Sequence, residues 1–134
     1  MKKIEHIGIA VKNLAEANQL YSTLLNTKPY KEEAVESEGV TTSFFEVGES
    51  KIELLAATRE DSAIAKYIEK RGEGIHHIAF YVDNIEDEIE RLQQEGFKLL
   101  NDQPKRGADQ KKIAFLHPKS AQGVLVELCE DINK

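Results

Sequence analysis

Two histidines and two glutamates hold matching places in this sequence. His6 and His77 each open a run of β-forming residues, and Glu53 and Glu127 each sit inside another. Imidazole and carboxylate donors without a thiolate suit Mn, Co, Ni, Fe or Zn, whereas a calcium site draws its ligands from oxygen. A carboxylate set into an apolar strand is costly to bury unless a cation or a set of hydrogen bonds compensates it. One divalent ion held by two imidazoles and two carboxylates is formally neutral, which relieves that cost. Such an ion commonly keeps open positions for substrate oxygens. A single inward histidine reads as an ordinary core residue; the same types at equivalent positions of a repeat read as ligands.

The repeat is visible by direct alignment. His6-Ile7-Gly8-Ile9-Ala10-Val11-Lys12-Asn13-Leu14 lines up with His77-Ile78-Ala79-Phe80-Tyr81-Val82-Asp83-Asn84-Ile85, and Lys51-Ile52-Glu53-Leu54-Leu55 with Leu125-Val126-Glu127-Leu128-Cys129. The offset is 71 residues at the start (6 to 77) and 74 at the end (53 to 127). Side chains alternate along a strand, so His6, Gly8 and Ala10 share one face and His77, Ala79 and Tyr81 another, with His76 turned away. Leu14, Ala17, Tyr21, Leu24 and Leu25 mark one face of a first helix, and Ile85, Ile89 and Leu92 one face of a second. Asn13 with Glu16, and Asn84 with Asp87, supply matching helix starts, and Gly96 stops the second helix. Ser62 to Arg71 reads as a connecting helix ended by Gly72.

The expectation is therefore an α+β fold in which two tandem βαβββ modules form a mixed curved sheet around a central metal site. Module one covers about residues 1–60, the connecting helix about 62–71 and module two about 75–131, within a single domain spanning 1–134. A chain of 134 residues can build one core of that size.

Composition narrows the function classes. A net charge of −6 and a pI near 5.3 argue against nucleic acid, whose phosphates require a concentrated surplus of Lys and Arg. Lys105-Arg106 and Lys111-Lys112 read as solvated loop charges, with a weaker claim on a phosphorylated ligand. The one cysteine, Cys129, reads as a core residue and forms no intrachain disulfide. No apolar signal region or bilayer-length span is present, so the expected setting is the cytoplasm, with no membrane partner.

At its four candidate ligands the chain resembles the vicinal-oxygen-chelate superfamily. More selective stretches, Ala65 to Phe80 with Gly72-Glu73-Gly74-Ile75-His76-His77 at its centre, and His117-Pro118-Lys119-Ser120 before Gly123-Val124-Leu125-Val126-Glu127-Leu128, resemble the methylmalonyl-CoA epimerase family within it. The resemblance runs from Ile4 to Glu130. It implies that His6, His77, Glu127 and the residue at Glu53, where some members carry Gln, hold one divalent metal, with cobalt favoured. It also implies an acyl-CoA substrate, a homodimer, and interconversion of (2R)- and (2S)-methylmalonyl-CoA by proton transfer at the α-carbon through a metal-stabilised enolate. An acid and a base must then reach opposite faces of that carbon. Glu127 is the first candidate and Glu53 the second. Lys119 and Ser120 are candidates for the substrate carboxylate or a CoA phosphate. Thr42, counted as substrate-facing, stands where some bacterial members carry a glutamate proposed as acid or base. The alternatives are a glyoxalase I type lyase acting on a glutathione hemithioacetal and a non-catalytic ligand-binding protein of the same fold.

Overall fold

Period-2 and period-3.6 segments alternate along the chain, and they resolve into the expected elements. A computed structural model describes residues 1–133. Module one runs β1 (Lys3–Ala10), α1 (Leu14–Leu25), β2 (Lys31–Val35), β3 (Val40–Val47) and β4 (Ser50–Ala57). After α2 (Ala63–Arg71), module two repeats the order with β5 (Gly74–Tyr81), α3 (Ile85–Gln94), β6 (Lys105–Arg106), β7 (Lys111–Leu116) and β8 (Val126–Asp131). Module one orders its strands β2-β3-β4-β1, and module two orders them β5-β8-β7-β6. This is the βαβββ duplication, with β6 reduced to two residues.

The described chain divides into two compact units, residues 6–76 and residues 1–5 with 77 onward. In the first, β1 runs parallel to β4, and β3 pairs antiparallel with both β4 and β2. Alternation sends Phe45, Leu54 and Ala56 toward α1, where they pack with Val11, Leu14, Ala17, Tyr21 and Leu25. Phe45 and Leu54 are fully buried, and each such side chain contributes about 1.5–3 kcal/mol. Asn13 caps α1 by accepting the Glu16 amide at 3.0 Å. Leu24 departs from expectation: it lies at the margin of the apolar stripe in the last turn and is 67% exposed. On the opposite sheet face Ala10, Val40 and Leu55 pack with Ile64, Tyr67 and Ile68 of α2. Gly39 closes the turn before β3 with φ +66°, where an added Cβ would lie 2.9 Å from Ser62 Cβ.

In the second unit β5 runs parallel to β8 and β7 antiparallel to it. The helix-facing residues Val82, Ala114, Leu116 and Leu128 close over Ile85, Ile89 and Leu92. Asn84 accepts the Asp87 amide at 3.0 Å, and the buried Glu130 carboxylate accepts the Ile85 amide at 2.8 Å. Two side chains thus satisfy orphan donors at the start of α3. Gly96, with φ +96°, follows its end as expected.

No helix among the described residues is long and apolar enough to cross a membrane.

Candidate metal centre

Each module carries one histidine–glutamate pair, built by the same register. In module one Glu53 of β4 faces Gly8 across the parallel ladder and Phe44 across the antiparallel one. In module two Glu127 of β8 faces Ala79 and Phe115 in the same way. A small residue on one side of each carboxylate leaves room for the imidazole two positions earlier to lean across. On the other side stands a phenylalanine in each module.

The two pairs match closely. His6 Nε2 lies 3.3 Å from Glu53 Oε1, each side chain 6% exposed. His77 Nε2 lies 3.2 Å from Glu127 Oε1, at 3% and 6% exposure. The Phe115 ring meets His77 edge-on at 5.9 Å between centroids. His76 turns the other way, half-buried against Tyr67 at 4.8 Å, which supports His77 as the member of the doublet that joins the site.

Donor chemistry suits a cation. His6, His77 and Glu127 are buried and offer donor atoms of the kinds that hold a divalent metal. Two carboxylates at this depth call for compensating positive charge. The residues present therefore fit a divalent ion; its identity is a separate question.

The remaining candidates have local roles as well. Thr42 is 1% exposed on the Glu53 face of β3, and its hydroxyl donates to the Glu33 carbonyl at 3.3 Å. Lys119 is exposed in the short 3-10 turn Pro118–Ala121, with its amide donating to His117 Nδ1 at 3.1 Å. Ser120 Oγ accepts the Lys98 amide at 3.0 Å, a bond that shapes the loop before β8.

One expectation fails at Lys111. It does not sit in a solvated loop; it opens β7, is 7% exposed, and places Nζ 2.7 Å from Asp131 Oδ1. Burial pushes the ammonium down, but the Asp131 hydrogen bond and the charges of Glu5, Asp131 and Asp109 outweigh it and hold Lys111 above the ordinary lysine value. Burial raises Asp131, and Lys111 and the Tyr81 hydroxyl outweigh that to hold the carboxyl low. The alternation Lys111-Ile113-Phe115, continuing the face that meets Glu127, was the available signal.

Comparison with known proteins agrees with this geometry. The family model described as Glyoxalase/Bleomycin resistance protein/Dioxygenase superfamily matches residues 5–115. The mitochondrial methylmalonyl-CoA epimerase of Dictyostelium discoideum is 39% identical over 129 residues, 96% of this chain and 78% of that protein. A hypothetical protein of Bacillus halodurans superposes with a TM-score of 0.95 at 48% identity, over 98% of this chain and 96% of that one. A variant of the Streptomyces coelicolor methylmalonyl-CoA epimerase, solved in complex with 2-nitronate-propionyl-CoA, has a TM-score of 0.95 at 35% identity, over 99% and 96%.

Proposed function

Because the chain belongs to the glyoxalase/bleomycin resistance protein/dioxygenase superfamily, we propose that it is a metal-dependent epimerase interconverting (2R)- and (2S)-methylmalonyl-CoA. The carrying observation is the pair of buried histidine–glutamate couples, one at the same register position of each module. His6, Glu53, His77 and Glu127 together hold one divalent ion in this reading. Named epimerases among the relatives favour it over a glyoxalase I type lyase.

A divalent ion supplies Lewis-acid polarisation of the substrate's thioester and carboxylate oxygens. The chain's own residues do the rest. The α-carbon of methylmalonyl-CoA lies between two carbonyl groups and is acidic for a C–H bond. Glu127 takes the proton from one face, and Glu53 returns one to the other. Phe44 and Phe115, beside the two carboxylates, keep water from competing for the carbanionic centre. Thr42, Lys119 and Ser120 contact the substrate, Lys119 with the charge to meet a carboxylate or phosphate. The protein works in the cytoplasm as a homodimer.

The test is to incubate methylmalonyl-CoA in deuterated buffer with the metal-loaded protein and with a chelated control. Metal-dependent exchange of the isomers with deuterium at the α-carbon is expected. Absence of exchange in the metal-loaded protein contradicts the assignment.

A further inference from the structure

The turn His117-Pro118-Lys119-Ser120 carries two of the proposed substrate contacts, yet its histidine has no part in the proton transfer. Proline removes one backbone donor and favours an extended residue before it, as His117 is at φ −63° and ψ 131°. Lys119 therefore supplies the first amide of the short 3-10 turn Pro118–Ala121, and His117 Nδ1 accepts it at 3.1 Å. The His117 carbonyl accepts the Ser120 amide at 2.9 Å. Both residues are also fastened to Lys98: the His117 amide donates to the Lys98 carbonyl at 2.7 Å, and Ser120 Oγ accepts the Lys98 amide at 3.0 Å. The Gly123 amide donates to the Pro118 carbonyl at 2.8 Å and closes the far side.

Only the bond at Nδ1 depends on a group that titrates. A side chain that accepts from the amide two residues on is ordinarily Asn or Asp, whose oxygen stays an acceptor at neutral pH and well below it. Imidazole accepts at Nδ1 only while neutral, with its proton on Nε2. Once charged, both nitrogens donate, and Nδ1 turns a proton toward the Lys119 amide. The charged side chains on the segments bonded to this turn are Lys98 and Lys119, both exposed, and β8 meets this end of β7 at the uncharged Val126.

We propose that His117 is a positioning residue for Lys119: its neutral Nδ1 holds the Lys119 backbone in the turn that presents the ammonium to a substrate carboxylate or phosphate, and protonation releases it. His117 touches neither substrate nor reacting atoms in this role. The inference rests on Lys119 contacting an acyl-CoA substrate.

The test follows epimerisation by the metal-loaded protein from about pH 8 to about pH 5.5, across the imidazole range. His117→Leu, which loses the acceptor, should raise KM about fivefold with kcat near wild type, the size of one lost capping bond. His117→Asn, whose amide oxygen accepts in the same place, should restore KM. The wild-type KM should rise relative to that of His117→Asn as pH falls, because the two proteins share every other titrating group. In a Lys119→Ala background His117→Leu should add less than about twofold, since the residue it acts through is gone. Wild-type KM in His117→Leu, an equal loss in His117→Asn, parallel pH profiles for wild type and His117→Asn, or additive losses in the double variant each overturn the proposal. If His117→Leu does not fold, the pH comparison decides alone. Imidazole nitrogen resonances read the bond without substrate: a proton on Nδ1 at neutral pH overturns the positioning role and leaves the epimerase reading standing. No α-proton exchange in the metal-loaded wild type overturns that reading, and with it the role given to Lys119.

Discussion

The two modules agree at one level of the sheet and diverge at the two levels beyond it. Gly8, Glu53 and Phe44 in module one correspond to Ala79, Glu127 and Phe115 in module two. The next level sets Ala10, Leu55 and Thr42 against Tyr81, Cys129 and Ile113. Beyond it, Ala57 faces Val40 in the first module and Asp131 faces Lys111 in the second. Duplication has been kept where a symmetric donor set is useful and abandoned further along the strands. The helices diverge too: α3 buries Ile85, Ile89 and Leu92, whereas α1 has no buried residue.

The largest expected effect breaks the symmetry of the two carboxylates. Glu127→Gln should lower kcat for α-proton exchange by about 10²–10⁴, the contribution of a positioned acid or base. Glu53→Gln should cost less, because Glu53 is the second of the two acid–base candidates and an amide oxygen can still meet a cation. Equal losses in both would make the pair functionally symmetric. The next effect probes the helices. Ile85→Ala, at a fully buried position, should destabilise by about 2–5 kcal/mol, and Leu14→Ala, half-buried at the matching position of α1, by roughly half as much, read from urea unfolding. A smaller effect belongs to the charged pair that only module two has. Asp131 is held below its ordinary value of 3.8, so its contribution is present above that pH and fades as pH falls through the folded value. Lys111 is held above 10.5, so its contribution is present below that pH and fades as pH rises through the folded value. The stability difference between wild type and Lys111→Met should therefore form a plateau between those limits and shrink outside them. A difference independent of pH would contradict this ion pair as its source.

Alternation and repetition made most of the fold readable from sequence. His6-Gly8-Ala10 and His77-Ala79-Tyr81 declared their faces because strand periodicity is local, and Asn13 and Asn84 declared helix starts because a cap acts over three residues. What escaped was non-local or too short. β6, two charged residues long, has no period to detect. Lys111 looked solvated because its counter-charges, Asp131 and Glu5, are distant in sequence. Glu130 gave no sign that it would cap α3, since its partner amide is 45 residues away. Leu24 fitted the helical stripe but fell at its margin, where a last turn leaves it to solvent. The histidine–glutamate pairs were legible because each is embedded in a repeated motif; the surrounding charge network was not.

The central claim is that both histidine–glutamate pairs serve one ion. Metal content per chain, measured by elemental analysis after equilibration with excess cobalt and removal of free metal, tests it directly. One ion per chain in the wild type, lost in both His6→Ala and His77→Ala, is the predicted result. Two ions per chain, with each substitution removing only one, would show that the pairs bind metal independently and would contradict the shared site.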